Sequence, residues 1–161
     1  MTKVEILGTG SEFMKQSIRG TEPVIEEIIM QASKEIQILA YVFTSKARHI
    51  LNLVEQAAKR GLKITIIVND LQAQDQTIKS KLEKMETTFP YVQVLNFTDN
   101  TKRQLHAKIV VADREKAVIG SANFSWGGMY SNYEIGLLIE GEPAWKIAQL
   151  VDSLKTELSW R

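Results

Sequence analysis

The sequence predicts an α/β fold in which helices flank a mixed β-sheet, and three observations predict it. Strand-length apolar runs alternate with amphipathic helical stretches through the first two-thirds of the chain, the pattern of βα units that build parallel strands. The run at 62–68 is almost continuously apolar, as in a strand covered on both faces. After residue 104 the alternation stops. Two strand-length runs separated by Asp113-Arg114-Glu115 then read as a hairpin, which adds antiparallel strands.

Taken in order, residues 4–7 form a short strand and 8–20 a turn-rich segment. Residues 23–32 carry Val24, Ile25, Ile28, Ile29 and Ala32 at helical spacing. A buried strand is expected over 35–43. Ser45 is placed to N-cap a helix that runs to Arg60, with Gly61 as its stop. The strand 62–68 follows, then a charged helix over 75–87 and a strand over 91–97. The hairpin comprises 105–112 and 116–119. A loop rich in glycine, serine and aromatics spans 121–133, a last strand 134–139, and Pro143 opens a helix that runs nearly to Arg161. In that helix Trp145, Ala148, Val151, Leu154 and Leu158 make one apolar stripe expected to face the core. No repeat, low-complexity tract or linker interrupts the 161 residues, which are expected to form one domain.

Composition narrows the function. Twenty Lys and Arg against nineteen Asp and Glu leave a net charge of +1, so any surface for a polyanion must be local. There is no cysteine, which removes disulfides, thiol chemistry and thiolate-bound zinc. The first residues resemble no signal peptide, and no apolar run approaches the length of a membrane span. The expectation is a cytoplasmic protein.

The chemistry-bearing residues cluster between Leu105 and Glu134. His106 and Lys108 are two apart, so on a strand they face the same side. A nucleophile or proton donor and a fixed cation thereby point into one space. Asn123 offers an amide, Ser121 a hydroxyl, and Gly120 a close approach of backbone. One imidazole, one cation and several neutral donors suit a phosphate group.

These residues read HxK(x)4D(x)6GSxN, with His106, Lys108, Asp113, Gly120, Ser121 and Asn123 at the fixed positions. Six specified residues at fixed spacing arise by chance about once in ten million windows. The pattern resembles the signature of the phospholipase D superfamily, and chain size and element order resemble its small single-motif bacterial endonucleases. The resemblance implies a phosphodiesterase that needs no metal or other cofactor. One histidine attacks phosphorus to give a phosphohistidine, a second protonates the leaving oxygen, and water hydrolyses the intermediate. It further implies that Lys108 and Asn123 bind the non-bridging oxygens and that Ser121 supports the phosphate or the loop. Glu134 then bonds a ring nitrogen of His106 and fixes its tautomer. Asp113 belongs to the motif, but seven residues past His106 on a strand it faces away, so a structural role is expected.

The chain has two histidines, and His49 stands outside any such motif, where it is expected at the surface or in helix packing. One usable histidine per chain and a two-histidine reaction imply a homodimer whose twofold axis passes through the site. The expected substrate is DNA or RNA. Lys102, Arg103, Gly120, Ser121 and Trp126 are candidates to touch it, against a solvated turn for the first two. For Phe124 and Trp126, packing in the core or an interface is the weightier alternative to base stacking. A phospholipid phosphodiesterase or phosphatidyl transferase and a non-catalytic phosphate-binding assembly domain are the competing readings. The chain also fits a module of a larger nuclease or helicase protein.

Overall fold

The computed structural model describes residues 1–160; Arg161, the expected end of the last helix, lies outside the described residues. In chain order the elements are β1 (Lys3–Thr9), α1 (Ser11–Met14), β2 (Arg19–Gly20), α2 (Thr21–Gln31), β3 (Glu35–Ala40), α3 (Arg48–Lys59), β4 (Lys63–Asn69), α4 (Gln76–Thr88), β5 (Val92–Phe97), β6 (Ile109–Ala112), β7 (Lys116–Gly120), β8 (Glu134–Glu140) and α5 (Glu142–Ser159). The strands join in one sheet of order β2-β1-β8-β7-β6-β3-β4-β5. β3, β4 and β5 are parallel, while β6, β7 and β8 run antiparallel to their neighbours. This is the expected mixed sheet with flanking helices.

Alternation along the strands assigns the two faces. Ile36, Ile38 and Ala40 of β3 and Ile64, Ile66 and Val68 of β4 pack with α2, α3 and α4 in the main core. Leu39 and Ile67 point to the other face and meet Val151 of α5. Gln37 shares that face, and its side-chain amide donates to Asp152 of α5 at 2.8 Å. The α5 stripe is only partly buried. Ala144, Ala148 and Val151 are covered, Leu154 and Leu158 pack at the margin, and Trp145 is exposed. The reason is that α5 crosses the middle of the sheet and reaches only the end of β8 nearest its own start, where Ile139 is buried, leaving the outer part of that face bare. Val4 and Ile6 of β1 and Ile135 of β8 are each 57% exposed.

Several boundaries moved. The segment after Thr44 begins as a 3-10 turn, Ser45–Ala47, without a side-chain cap, and α3 proper starts at Arg48. Asp75 is the N-cap of α4 and accepts from the Thr77 N–H at 2.8 Å. β3 ends at Ala40, three residues early, because the chain turns to form an isolated bridge between Phe43 and Phe124. No described helix is long and apolar enough to cross a membrane.

The β6–β7 hairpin closes as expected at Asp113-Arg114. Both residues take positive φ, +55° and +60°, and the Glu115 N–H bonds the Ala112 carbonyl at 3.0 Å. That is a type I′ turn, whose twist matches paired strands. It usually calls on Asn or Gly; here Asp113 tolerates the left-handed backbone because its carboxylate is fully used.

Candidate active site

Four strand ends meet where β3 and β7 finish and β6 and β8 begin. Register brings them together: Leu39 pairs with Ile109, Ile109 with Ile119, and Gly120 with Gly136. His106 and Lys108 lie in extended chain just before β6, not on the strand itself as expected. Past Ala40 and Gly120 the neighbouring strands have ended, so residues 105–108 have no ladder on either side. The segment is pinned instead by buried Leu105, whose N–H donates to Asn69 Oδ1 at 2.8 Å.

The two side chains still share one space. Lys108 Nζ lies 3.1 Å from His106 Nδ1 and 2.8 Å from the His106 carbonyl. Tyr41, the residue after β3, backs both of them. Its ring centroid is 4.4 Å from the imidazole and 5.4 Å from Lys108 Nζ. Burial holds the Lys108 ammonium below its usual pKa, while Glu134 pulls it upward. A partly desolvated cation of this kind gains from meeting an anion.

Across from them sit the donors of the following loop. The Ser121 N–H bonds the Ile135 carbonyl at 3.1 Å, and Ser121 Oγ donates to Glu134 Oε2. Asn132 Nδ2 reaches Glu134 Oε1 at 3.3 Å. The resemblance led us to expect Glu134 on the His106 ring. Instead the β7–β8 register seats it beside Ser121, and its described bonds go to Ser121 and Asn132. Asn123 is held from both sides: Phe124 exchanges backbone bonds with Val42 and Thr44 and stacks on Phe43 at 4.7 Å. Asn123 Oδ1 is buried without a described hydrogen-bond partner, an acceptor in reserve. Gly120 is required by close approach, since a Cβ there would stand 2.6 Å from the Ile135 carbonyl oxygen.

Other expectations separate. Asp113 is at the opposite end of the sheet, beside Glu35, where it accepts backbone N–H bonds from Ser33, Lys34 and Glu35 at 2.8–2.9 Å. It thus lies away from His106, on the side the facing argument expected. Arg103 is turned to Asp99 of its own turn, and Lys102 is exposed at a φ of +64°. Phe124 is buried in the core, but Trp126 is 56% exposed with its ring 4.6 Å from that of Tyr130, so of the core or interface packing expected for it the core does not hold. Its segment is a π-helical turn, Gly127–Ser131, which the sequence presented as a loop. Tyr41 was missed, since a tyrosine at a strand's end carries no signal of its own.

Beside Lys108 opens an apolar groove of about 520 Å³, lined by Ile109, Ile119, Ile135 and Leu137 with Gly120 and Gly136 between them. Together with Val4 and Ile6 it forms the sheet face that α5 leaves bare.

Residues 25–158 match the family model described as "Cardiolipin synthase, PLD-like domain". The DISARM protein DrmC of Bacillus paralicheniformis is 28% identical over 145 residues, which are 88% of this chain and 58% of that protein. The virion nicking-joining enzyme of vaccinia virus is 25% identical over 142 residues, 84% of this chain and 32% of that one. The chain thus spans well under two thirds of either relative. Among solved structures, Nuc from Salmonella typhimurium, a phospholipase D family member, superposes with a TM-score of 0.72 at 18% identity. The match covers 100% of this chain and 94% of that one, a likeness of fold.

Proposed function

Because the chain belongs to the phospholipase D-like domain family, a family that acts on phosphodiesters, we propose that it is a nuclease. In this reading it cleaves DNA or RNA without metal, through a phosphohistidine, at a site completed by a second copy of itself. The observation that carries the reading is that a single motif histidine, His106, stands at the site, while the reaction proposed needs two. His106, Lys108, Ser121 and Asn123 converge, but His49, the other histidine, is engaged by Glu22 at 2.8 Å on the helical side.

The geometry supplies roles. An ammonium only donates, so Lys108 against Nδ1 makes that nitrogen an acceptor and puts the neutral ring's proton on Nε2. This neutral ring is not yet an acid, since loss of its Nε2 proton would leave imidazolate; the copy that donates must first take up a second proton as imidazolium. The attacking ring must offer an unprotonated nitrogen, so Lys108 has to leave Nδ1, and an arriving phosphate draws it away. One His106 then forms a nitrogen–phosphorus bond as the phosphorus–oxygen bond to the leaving strand breaks. The partner copy's His106, as imidazolium, delivers one proton to that oxygen and becomes neutral. Water attacks the phosphohistidine, gives its proton back to the same ring, and frees the first imidazole. Lys108 and the Asn123 amide meet the charge on the non-bridging oxygens.

The bare apolar face beside Lys108 supports the dimer, since exposed aliphatic surface next to an incomplete site is what an isologous contact covers. The same groove favours a second reading, in which an acyl chain lies there and the substrate is a phospholipid. Two measurements test the proposal. A panel of single-stranded DNA, duplex DNA, RNA and phosphatidylcholine vesicles, each in chelator, separates the readings; turnover of lipid alone refutes the nuclease. A doubly tagged dimer of wild type with His106→Ala should be inactive, because it lacks either nucleophile or acid. Half of wild-type activity would show that each chain holds a complete site.

A further inference from the structure

The half-buried cluster between α2 and α3 lies outside the chemistry above. Glu22 and Glu26 stand one turn apart on α2, and His49 of α3 projects between them. His49 Nε2 is 2.8 Å from Glu22 Oε1 and 3.4 Å from Glu26 Oε1. One ligand atom from each of the three residues lies within 4.8 Å of the others. Tyr130 completes the group, its hydroxyl 3.4 Å from Glu22 Oε1 and 3.3 Å from His49 Nε2. We propose that Glu22, Glu26 and His49 form a binding site for a divalent transition-metal ion, with Zn²⁺ the ion their chemistry fits.

The distances fit first. Nitrogen and oxygen ligands about 2.0–2.2 Å from zinc stand roughly 3.3–3.5 Å apart around a tetrahedron. The His49–Glu26 separation is already of that size, and the His49–Glu22 hydrogen bond has to open by about half an ångström. The ligand set fits next. One imidazole and two carboxylates favour zinc over magnesium or calcium, which take oxygen alone. The electrostatics point the same way. Glu22 and Glu26 set two carboxylates beside one imidazole. The pair thus has room for a counter-charge beyond what a single imidazole provides.

The frame is rigid, because α2 and α3 pack through Val24, Ile28, Leu51 and Val54 in the main core. The site is reachable, with side-chain exposures of 13% for Glu22, 31% for Glu26 and 33% for His49. Binding takes the Nε2 lone pair, and the proton held between that nitrogen and Glu22 leaves to solvent. The Tyr130 hydroxyl donates to the Glu22 carboxylate, orienting that ligand without joining it. Tyr130 belongs to the Gly127–Ser131 turn that follows Asn123, so the ion ties both helices to the loop beside the reaction site.

The full chain, stripped with chelator and titrated with Zn²⁺ by calorimetry, should bind one ion per chain with proton release. Cobalt substitution should give the intense visible band of a four-coordinate site. Glu26→Gln and His49→Gln should each weaken binding by roughly 100-fold or more, and Tyr130→Phe by about 10-fold. His106→Ala should bind as wild type does. No uptake by the wild type would overturn the proposal, and a six-coordinate cobalt spectrum would do the same. So would uptake that survives Glu26→Gln and His49→Gln in folded protein, or that is lost in His106→Ala.

Discussion

Replacing Asp113 should lower stability and leave the reaction intact. Its carboxylate accepts three backbone N–H groups and the Ser33 hydroxyl, binding the β6–β7 turn to the start of β3. A hydrogen bond to an ionised acceptor is worth about 1.5–3 kcal/mol. Ser33 and Lys34 are exposed, so water replaces much of what their N–H groups lose, and the half-buried Glu35 N–H carries the larger cost. Alanine also fits a φ of +55° poorly. Together these give about 2–4 kcal/mol for Asp113→Ala, or a Tm lower by about 5–15 °C in a domain of this size. Asp113→Asn keeps one acceptor and tolerates the left-handed backbone, so it should lose about half as much. Burial opposes ionisation of this carboxyl, but the N–H bonds from Glu35, Ser33 and Lys34 outweigh it and hold the pKa below the usual range. The stabilisation is therefore full above about pH 4, the unfolded value, and fades as pH falls through the lower folded one. Urea unfolding of both variants from pH 7 to pH 2, with turnover measured where all are folded, checks this. A variant as stable as wild type but about 100-fold slower would refute it and place Asp113 at the substrate.

Three further outcomes follow from the site. Lys108→Ala should reduce turnover by about 100-fold or more, and Lys102→Ala by no more than a few-fold, because only Lys108 is shielded beside His106; equal losses in steady-state kinetics would remove Lys108 from the phosphate. Tyr41→Phe should be near wild type, whereas Tyr41→Leu, which strips the ring from His106 and Lys108, should slow turnover about 5- to 10-fold, the worth of about 1 kcal/mol of ring contact. Hydrolysis should persist in excess EDTA, because His106, Lys108 and Asn123 present no carboxylate set to hold a cation; activity restored only by added Mg²⁺ would mean another mechanism.

What the sequence revealed follows from the range of the interactions involved. The parallel strands and their helices were legible because apolar periodicity is local, and the core residues of α2 appeared at their observed spacing. The hairpin was legible because Asp113-Arg114-Glu115 breaks two apolar runs. The placement of His106 was legible only in part. The motif found the residue, but the end of the strand is set by where β3 and β7 stop, which is decided elsewhere in the chain. Glu134 failed for a related reason, since its partner is chosen by the β7–β8 register. Tyr41 and the Glu22–Glu26–His49 group depend on segments distant in sequence and close in space, and no spacing rule within one segment reports such a meeting.

The pairing of β1 with β8 has a consequence for synthesis. Lys3 lies opposite Glu140, and Thr9 opposite Glu134. A ribosome extending the chain at about 5–20 residues per second therefore makes β1 on the order of ten seconds before its partner exists. During that interval Val4 and Ile6 lie on a strand that lacks its β8 neighbour, and for about the last 1–3 s Ser121 too lacks the glutamate and the Ile135 carbonyl that hold its loop. The nascent chain thus carries its first strand early, and its histidine and the frame around it late. Translation itself sets the order in which the reactive half-site is assembled.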